Sequence, residues 1–437
     1  AYAAANKYMY GARAPYLFKT TDYGKTWKKI TAGIPADEYC RVLREDPNKP
    51  GLLYAGTERG IYVSFNDGDS WEKMNLNLPL TPIRDLQIHK RDKDLVVATH
   101  GRAFWILDDI TPLHEIMDKK VTSEKYLYQP RTTYRTQGRQ SDTKSAGTNA
   151  PNGVIVRFYQ KTKATKELEL EFLNDKNESI IKYSSVKNTK GEPQKVAKEF
   201  HQDTEKEKAG YVPNKVARNE FVWNTRYPNA TEVEGTNVMW AGSGVGAKVL
   251  PGTYKVRFIE DKKIIGEQTF DIKKDPRAEG TDADLKEQFE FHQKVNKKVN
   301  EAHLAINKIR KIKGQINGYV GAVKDSVMVK EMKKMAEPTL KSLEELEATL
   351  MQPKAKAPQD VLAYPIMLND KMAGLGSNVS SGDTKPTKGA YEVYDDLAKK
   401  IDIAVAKVNE IATVKVPEFN AFIQQKQIPA IVIEDKK

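Results

Sequence analysis

An eight-residue pattern occurs twice in the first part of the chain, and the distance between its copies constrains the fold more than any other feature. Residues 20–27 read Thr-Thr-Asp-Tyr-Gly-Lys-Thr-Trp, and residues 64–71 read Ser-Phe-Asn-Asp-Gly-Asp-Ser-Trp. Trp71 follows Trp27 by 44 positions, which is the repeat length of a four-stranded β-propeller blade. The pattern therefore predicts that the chain begins with successive blades of a propeller, which we place at residues 1–115.

Each copy has the residue types of a tight turn between two strands. The carboxylate or amide at its third position can accept hydrogen bonds from backbone N–H groups just ahead, and the glycine supplies a positive φ. The final tryptophan begins the next strand with a side chain large enough to fill the space between neighbouring sheets. We therefore assign these residues a structural role and not a catalytic one. They are Thr20, Asp22, Gly24 and Trp27 in the first copy, and Ser64, Asn66, Gly68 and Trp71 in the second.

The repeat continues once beyond the second copy. Residues 52–63 align with residues 95–106 at an offset of 43 positions, and each segment has a hydrophobic strand, a short polar turn with an arginine, and an aromatic strand. This order predicts the two inner strands of a blade. In the third copy the turn pattern has decayed at residues 107–109, and the repeat ends at Pro112.

The two turns resemble the Asp-box of bacterial neuraminidase (BNR) repeats, S/T-x-D-x-G-x-T/S-W. With the segments 52–60, 77–79 and 98–109, they resemble the closing blades of large bacterial sortilin-type propeller proteins, a group often described as BNR-repeat glycosyl hydrolases. The resemblance extends past the propeller over nearly the whole chain. It implies the fold more specifically than the function, because sialidases, xyloglucanase-type hydrolases, photosystem assembly factors and non-enzymatic sortilin receptors all share the Asp-box.

The segment that carries the repeat is shorter than a closed propeller. A propeller has at least four blades, whereas the residues before Pro112 provide for about two and a half at roughly 45 residues each. The chain also begins at Ala1 without an initiator methionine or a signal-peptide pattern. We therefore expect the C-terminal portion of a longer polypeptide, with further blades and their ligand residues upstream.

The composition is that of a multidomain protein with neither a membrane span nor a nucleic-acid partner. A length of 437 residues predicts about three domains, and no apolar run approaches the ~20 residues of a membrane span. The net charge is +12, but lysines alternate with acidic residues, as in Lys286-Glu287, which indicates solvated surface. The single Cys40 excludes an internal disulfide. No histidine pair has metal-ligand spacing, so we predict neither a metal nor a cofactor.

Short alternating strands follow the propeller segment. We predict a linker at 116–150, with a flexible polar stretch at 136–144, and then an immunoglobulin-like β-sandwich at 151–276. A charged and poorly patterned insertion loop is expected at 187–214. Trp223 is predicted to be the core tryptophan of the sandwich.

The remaining residues, 277–437, are predicted to form an antiparallel helical bundle with a C-terminal extension. Thr281 should cap a first helix of about 30 residues, Pro338 should kink or split the second long helix, and the third should stop before Pro417. A shorter helix is expected at 364–372. Apolar residues recur at intervals of three and four and predict a buried stripe on each long helix. The stripes are Leu285, Phe289, His292, Val299, Ala302, Ile306 and Ile309; Met328, Met332, Met335, Leu343, Leu346 and Leu350; and Tyr391, Tyr394, Leu397, Ile401, Val405, Val408 and Ile411.

Residues with the chemistry to bind a ligand occur in the turn regions of the propeller segment. Arginines at such turns could bind a carboxylate bidentately, as in sialidases, and two carboxylates could act as acid and base in glycoside hydrolysis. Asp108 and Asp109 are adjacent, however, so in a strand they point to opposite faces. We favour structural ion pairs for these residues and assign no catalytic residue. The candidate ligand-binding residues are Glu58, Arg59, His100, Arg102, Trp105 and Asp108.

Three functional hypotheses stay open. We favour a non-catalytic interaction or scaffold protein that uses a propeller face to bind a protein, a peptide or a glycan. This reading merges with a second one, a helper in envelope assembly or secretion that binds a peptide in the propeller channel. The alternative is an exo-acting glycoside hydrolase, sialidase- or xyloglucanase-like, with its catalytic residues mostly upstream. The resemblance implies an extracytoplasmic location in the periplasm, at the cell surface or outside the cell.

Overall fold

The computed structural model describes residues 1–136, 147, 149–186 and 211–428. Within them, β-sheets form the N-terminal part and five helices form the C-terminal part. Three predicted segments lie wholly or mainly outside these residues: the flexible polar stretch of the linker, the insertion loop, and the end of the C-terminal extension.

The first part of the chain forms three antiparallel sheets in which each strand pairs with the next along the chain. Such meanders need only short turns between strands. The central sheet has four strands, as one blade requires, and its two neighbours have three each. The strands are β1 (Tyr2–Lys7), β2 (Ala12–Lys19) and β3 (Lys28–Lys29); β4 (Cys40–Asp46), β5 (Lys49–Thr57), β6 (Gly60–Ser64) and β7 (Glu72–Lys73); and β8 (Ile83–His89), β9 (Asp94–Thr99) and β10 (Phe104–Leu107).

The central sheet is covered on both faces by its neighbours. Along β5, Leu53 and Ala55 join the core that contains Leu17 of the first sheet. The intervening Leu52 and Tyr54 join a second core, which is shared with the third sheet. Because alternate side chains of a strand point to opposite faces, the three sheets stack in chain order, as consecutive propeller blades do.

The repeat alignment departs from the observed strand register by one residue in the third sheet. The offset of 43 positions pairs Phe104 with Thr99, as Ile61 pairs with Gly56, but Phe104 pairs with Ala98. The turn between β9 and β10 is one residue longer than the turn between β5 and β6. A one-residue shift exchanges the two faces of a strand. Leu95 therefore packs toward the central sheet, whereas its counterpart Leu52 faces the third sheet.

Two further sheets face each other across one hydrophobic core. Trp223 is fully buried there, with its ring 4.4 Å from that of Phe172 in the opposite sheet, so the predicted core tryptophan is confirmed. The smaller sheet has the order β11 (Lys125–Leu127), β13 (Val154–Gln160) and β16 (Ala217–Trp223), and the larger has the order β12 (Thr133–Arg135), β18 (Lys263–Lys274), β17 (Gly252–Glu260), β14 (Leu168–Leu173) and β15 (Ser179–Ser184).

The segment predicted as a linker, 116–150, contributes to both sheets. It supplies β11 to the smaller sheet and β12 to the larger one, where β12 runs parallel to β18. Each strand has three residues, which is too short for an alternating pattern to be recognised in the sequence. A short helix, α1 (Thr111–Met117), precedes them.

Five helices follow the sheets and pack on two shared hydrophobic cores, although Met335 of the second predicted stripe is exposed. Thr281 caps the first of them, because its hydroxyl accepts from the Asp284 backbone N–H at 3.1 Å while the Asp284 carboxylate accepts from the Thr281 N–H at 2.9 Å. This helix has 41 residues, not about 30. The helices are α2 (Asp282–Ala322), α3 (Ser326–Leu350), α4 (Leu368–Val379), α5 (Lys388–Glu410) and α6 (Val416–Gln425).

Two prolines were predicted to interrupt helices. Pro338 does not split the second long helix, because it lies inside α3, which is continuous across it. The third long helix does not stop before Pro417, because a π-helical turn at Ile411–Lys415 joins α5 to α6. Pro417 lies in the first turn of α6, directly after the π-helical turn. The shorter helix begins at Leu368, later than predicted.

A long connection between β16 and β17, residues 226–248, runs along α2, and we call it the strap. Asn300 accepts from the Thr231 backbone N–H at 2.9 Å, and Asn307 accepts from the Glu234 N–H at 2.8 Å. Asn296, His303 and Arg310 of α2 also contact strap carbonyls. These positions recur at intervals of three and four, so α2 carries a polar stripe for the strap beside its apolar stripe.

Candidate functional site

The two Asp-box turns have matching hydrogen bonds. In the first, the Thr20 hydroxyl accepts from the Gly24 N–H at 2.9 Å, and Asp22 accepts from the Thr26 N–H at 2.9 Å. In the second, Ser64 accepts from Gly68 and Asn66 accepts from Ser70, each at 2.9 Å. The φ angles of the glycines agree as well, 86° for Gly24 and 88° for Gly68.

The Asp22 carboxylate is occupied within its own turn. Hydrogen bonds from the Thr26 hydroxyl and backbone, and then from Thr20, lower the pKa of Asp22 to about 2. Such a carboxylate stays ionised and is a poor proton donor at neutral pH. The arrangement accords with a turn-stabilising role for the box.

Trp27 and Trp71 end equivalent turns but differ in their surroundings. Trp71 is 3% exposed, and its indole N–H donates to the Ile30 carbonyl of the preceding sheet at 2.8 Å. Trp27 is 46% exposed. The difference follows from position in the stack, because no described sheet lies on the Trp27 side of the first sheet.

Four of the six candidate ligand-binding residues lie at one end of the stack, which we call the turn end. It carries the β1–β2, β5–β6 and β9–β10 turns, whereas the Asp-box turns lie at the opposite end because each strand reverses direction. Glu58 and Arg59 lie in the second of these turns, and His100 and Arg102 in the third.

Two arginines missed in the sequence also reach the turn end. A β-bulge interrupts β4 between Cys40 and Val42, and an equivalent one interrupts β8 between Ile83 and Asp85. Bulges redirect side chains, and here each extra residue is an arginine. Arg41 pairs with Glu58, with 2.7 Å between guanidinium and carboxylate, and Arg84 lies 3.0 Å from the His100 ring nitrogen. The two arginines are 43 positions apart, which is the offset of the repeat, and this spacing could have identified them from the sequence.

Arg41 is held in a fixed position by its neighbours. Its guanidinium lies 5.2 Å from the ring of Tyr8 and 5.0 Å from that of Tyr39, and these rings stack 5.2 Å apart. Burial acts to lower the pKa of Arg41, but hydrogen bonding and the charge of Glu58 outweigh it and raise that pKa. The arginine is therefore a permanent, oriented cation.

The remaining charged residues of the turn end are more exposed. Arg59 pairs with Asp37 at 3.0 Å, and both side chains are largely in solvent. Arg102 is exposed, and its backbone carbonyl accepts from the Trp105 indole at 2.9 Å. Trp105 itself packs against the core between the second and third sheets, which accounts for it structurally.

Several large apolar side chains are exposed at the same end. Tyr10 in the β1–β2 turn is 90% exposed, and Phe104 beside the β9–β10 turn is 77% exposed. Exposed aromatic groups that cluster in this way mark interaction surfaces. The other members are Tyr8, Met9, Leu76 and Leu80.

Asp108, the last of the candidate ligand-binding residues, does not lie at the turn end. It follows β10 at the far end of the stack, where burial and the nearby Asp94 raise its pKa. The adjacent Asp109 is buried and forms an ion pair with Arg157 of β13. The structure therefore separates Asp108 from the other candidates and places it at the junction with the two facing sheets.

Several other features bear on chemistry. Burial, followed by the charge of Glu38, raises the pKa of Cys40 to about 12, so its thiol is a poor nucleophile. Over the described ranges, no group of three or more His, Cys, Asp or Glu residues is arranged to hold a metal ion. In the same ranges, no helix combines the length and apolar character that crossing a bilayer requires.

Comparison with known families gives one match. Residues 16–213 match the family model Sortilin-Vps10, described as "Sortilin, neurotensin receptor 3". This similarity supports a sortilin-type, propeller-like family for that part of the chain. A search of curated proteins gave no match.

Proposed function

We propose that this chain is part of an extracytoplasmic binding protein whose turn end recognises a protein or peptide partner. The observation that carries the proposal is that exposed aromatic side chains and the oriented Arg41 lie at the same end of the stacked sheets. The sortilin-type similarity of residues 16–213 supports a binding or receptor role and an extracytoplasmic location.

The side chains at the turn end are those that contribute most at protein interfaces. Tyrosine and arginine are enriched among the residues that dominate binding energy. Arg41 is already oriented by Glu58 and by two aromatic rings, so binding would cost little conformational entropy. Acidic side chains or a carboxyl terminus of the partner would complement Arg41, Arg59 and Arg84.

We further propose that the three sheets belong to a larger propeller. Ile61 and Val63 are buried against the third sheet, whereas the equivalent Phe104 and Ile106 are 77% and 60% exposed. Trp27 is likewise exposed where Trp71 is buried. Further blades would cover the outer faces of the first and third sheets. They would bury these side chains in the way that the neighbouring sheets bury those of the central sheet.

The turn end offers less support for glycoside hydrolysis. Two of its carboxylates, Glu58 and Asp37, are each engaged by an arginine, whereas glycoside hydrolysis needs one carboxyl group as acid and another as base or nucleophile. Assays of the full-length protein with chromogenic glycosides should give no turnover. Clear turnover that is lost when Glu58 or Asp37 is changed to the amide would replace the binding proposal with the enzymatic one.

Peptides selected by display against the chain provide the direct test of binding. The affinity of a selected peptide should fall at least tenfold in Tyr10→Ala, because the exposed ring would lie in the interface. The matched control is Tyr23→Ala, which removes an equally exposed tyrosine at the Asp-box end and should leave affinity unchanged. Loss of affinity in the control alone would place the binding surface at the Asp-box end of the stack and contradict the proposal.

A further inference from the structure

A cavity of about 200 Å³ lies between the strap, α2 and α4, far from the turn end. Arg226 and His292 form part of its wall, and the exposed Ser377 lies on its rim. A smaller pocket adjoins it, shares Arg226, His292 and Ser380 with it, and adds Lys248. The volume of the main cavity is well beyond what one water molecule needs.

The polar side of these pockets has more cations than carboxylates. Arg135, Arg226 and Lys248 all line the smaller pocket. Arg135 is engaged by Asp383 in a buried ion pair. Within the described residues, Arg226 and Lys248 form hydrogen bonds to backbone carbonyls, those of Gly246 and Thr136, and no carboxylate pairs with either. The charges of Asp383 and Asp275 act to raise the pKa of Lys248, but Asp383 is paired with Arg135 and Asp275 with Arg277.

This excess of positive charge is unfavourable without an anion. Burial, followed by the charges of Arg226 and Arg135, lowers the pKa of Lys248 to about 8. Burial and the charge of Arg226 also lower the pKa of His292 to about 4, so that its ring is neutral at pH 7. A buried cation that lacks a counter-charge is costly, and a bound anion would offset that cost.

The lining of the main cavity also includes apolar side chains. Val295 and Val299 of α2 line it together with Ala373 of α4. Gly376 of α4 has no side chain, and a Cβ there would lie 3.3 Å from His292 and Val295, so the glycine keeps the space open. A ligand that fills the cavity would meet both the Arg226 cation and these hydrocarbon side chains.

We propose that this cavity binds a small organic carboxylate, with the carboxylate group at Arg226 and its alkyl part against Val295, Val299 and Ala373. Arg226 supplies the bidentate charged contact, and Lys248 adds positive charge from the adjoining pocket. The Ser380 hydroxyl and the neutral His292 ring line the polar end. This binding site is independent of the proposed partner surface at the turn end.

Calorimetric titration of the whole chain with acetate, propionate and butyrate tests the proposal, with phosphate and sulfate as inorganic comparisons. Binding should be saturable, and affinity should rise about fourfold for each added methylene, as burial of a CH₂ group predicts. Arg226→Gln should weaken butyrate binding at least tenfold. The matched control Arg218→Gln removes an exposed arginine of β16 that pairs with Glu220, and it should bind butyrate like the unchanged chain.

Several results would overturn the proposal. They are the absence of saturable carboxylate binding by the unchanged chain, binding of phosphate and sulfate without carboxylates, equal affinity for the three carboxylates, or equal loss in both variants. If Arg226→Gln does not fold, Lys248→Gln serves in its place, because it removes the positive charge of the adjoining pocket. It should weaken binding of all three carboxylates by a similar factor, and unchanged binding would count against the assignment.

Discussion

Individual residues of the repeat contribute very differently depending on which sheet they occupy. Trp71 is clamped between two sheets and donates a hydrogen bond to Ile30, whereas its counterpart Trp27 is nearly half exposed. Gly33 shows how tightly the buried copy fits, because a Cβ there would lie 2.3 Å from the Trp71 carbonyl oxygen. The same motif residue therefore stabilises the chain only where a neighbouring sheet covers it.

Alanine substitution of the two tryptophans should separate these roles. Trp71→Ala should lower the free energy of unfolding by about 3–5 kcal/mol, as expected for removing a buried aromatic side chain. Trp27→Ala in the same chain should cost less than about 1 kcal/mol. Denaturant unfolding measures both values, and equal costs for the two variants would contradict the stacked arrangement.

Substitutions of Asp22 test the charge of the first Asp-box turn. Because the folded-state pKa of Asp22 is about 2, below the ordinary value of 3.8, the ionised carboxylate stabilises the folded chain above about pH 4 and loses this effect as the pH falls toward 2. Asp22→Asn should keep the turn, since Asn66 accepts the equivalent backbone hydrogen bond in the second copy and donates to the Ser70 hydroxyl, while removing that pH dependence. Melting temperatures measured from pH 2 to 7 should show this, and an Asn variant as unstable as Asp22→Ala would argue against it.

At the scale of elements, the strap determines how the facing sheets meet the helices. Asp370 of α4 accepts hydrogen bonds from the backbone N–H groups of Trp240 and Ala241, each at 2.8 Å. On α2, the asparagine stripe binds other strap peptides. A segment without regular structure is thus fixed by side chains that satisfy its backbone.

Removal of the Asp370 carboxylate should loosen the strap locally. Asp370→Ala should cost about 1–3 kcal/mol, because buried N–H groups would lose their acceptor, and amide hydrogen exchange at 240–242 should accelerate. The matched control is Asp360→Ala, which removes a partly exposed carboxylate that accepts from the Lys356 and Ala357 N–H groups. Exchange at 240–242 that stays slow in Asp370→Ala would show that the carboxylate does not hold the strap.

The sequence predicted these elements to different degrees for physical reasons. The long strands, the capped start of α2 and its apolar stripe follow from periodicity and local hydrogen bonding. The strap and the three-residue strand β12 have no periodic signal, so their partners come from tertiary structure alone. At the turn end, Glu58 and Arg59 were recognisable from residue type, but Arg41 required knowledge of the bulge that redirects it.

At the scale of the whole molecule, buried polar contacts join the stacked sheets to the facing sheets. Arg157 of β13 reaches Asp109 beyond β10, and both side chains are less than a tenth exposed. His114 of α1 lies 2.7 Å from Asp46 of the central sheet. Such contacts fix orientation between regions, and they depend on complete pairing because a lone buried charge is costly.

The Asp109–Arg157 pair can be tested by a double-mutant cycle. Arg157→Met alone should destabilise the chain by about 3–5 kcal/mol, since Asp109 would stay buried without its partner. Adding Asp109→Asn should recover part of that loss, because the amide keeps the shape without the charge. Unfolding free energies of the four chains measure the coupling, and additive effects would mean that the pair does not join the two regions.

Hydrogen exchange of the chain with and without a display-selected peptide tests the central claim that the turn end is the partner-binding surface. We expect slower amide exchange at the β1–β2, β5–β6 and β9–β10 turns, with no change at the Asp-box turns. Protection confined to the Asp-box turns or to the five C-terminal helices would contradict the account.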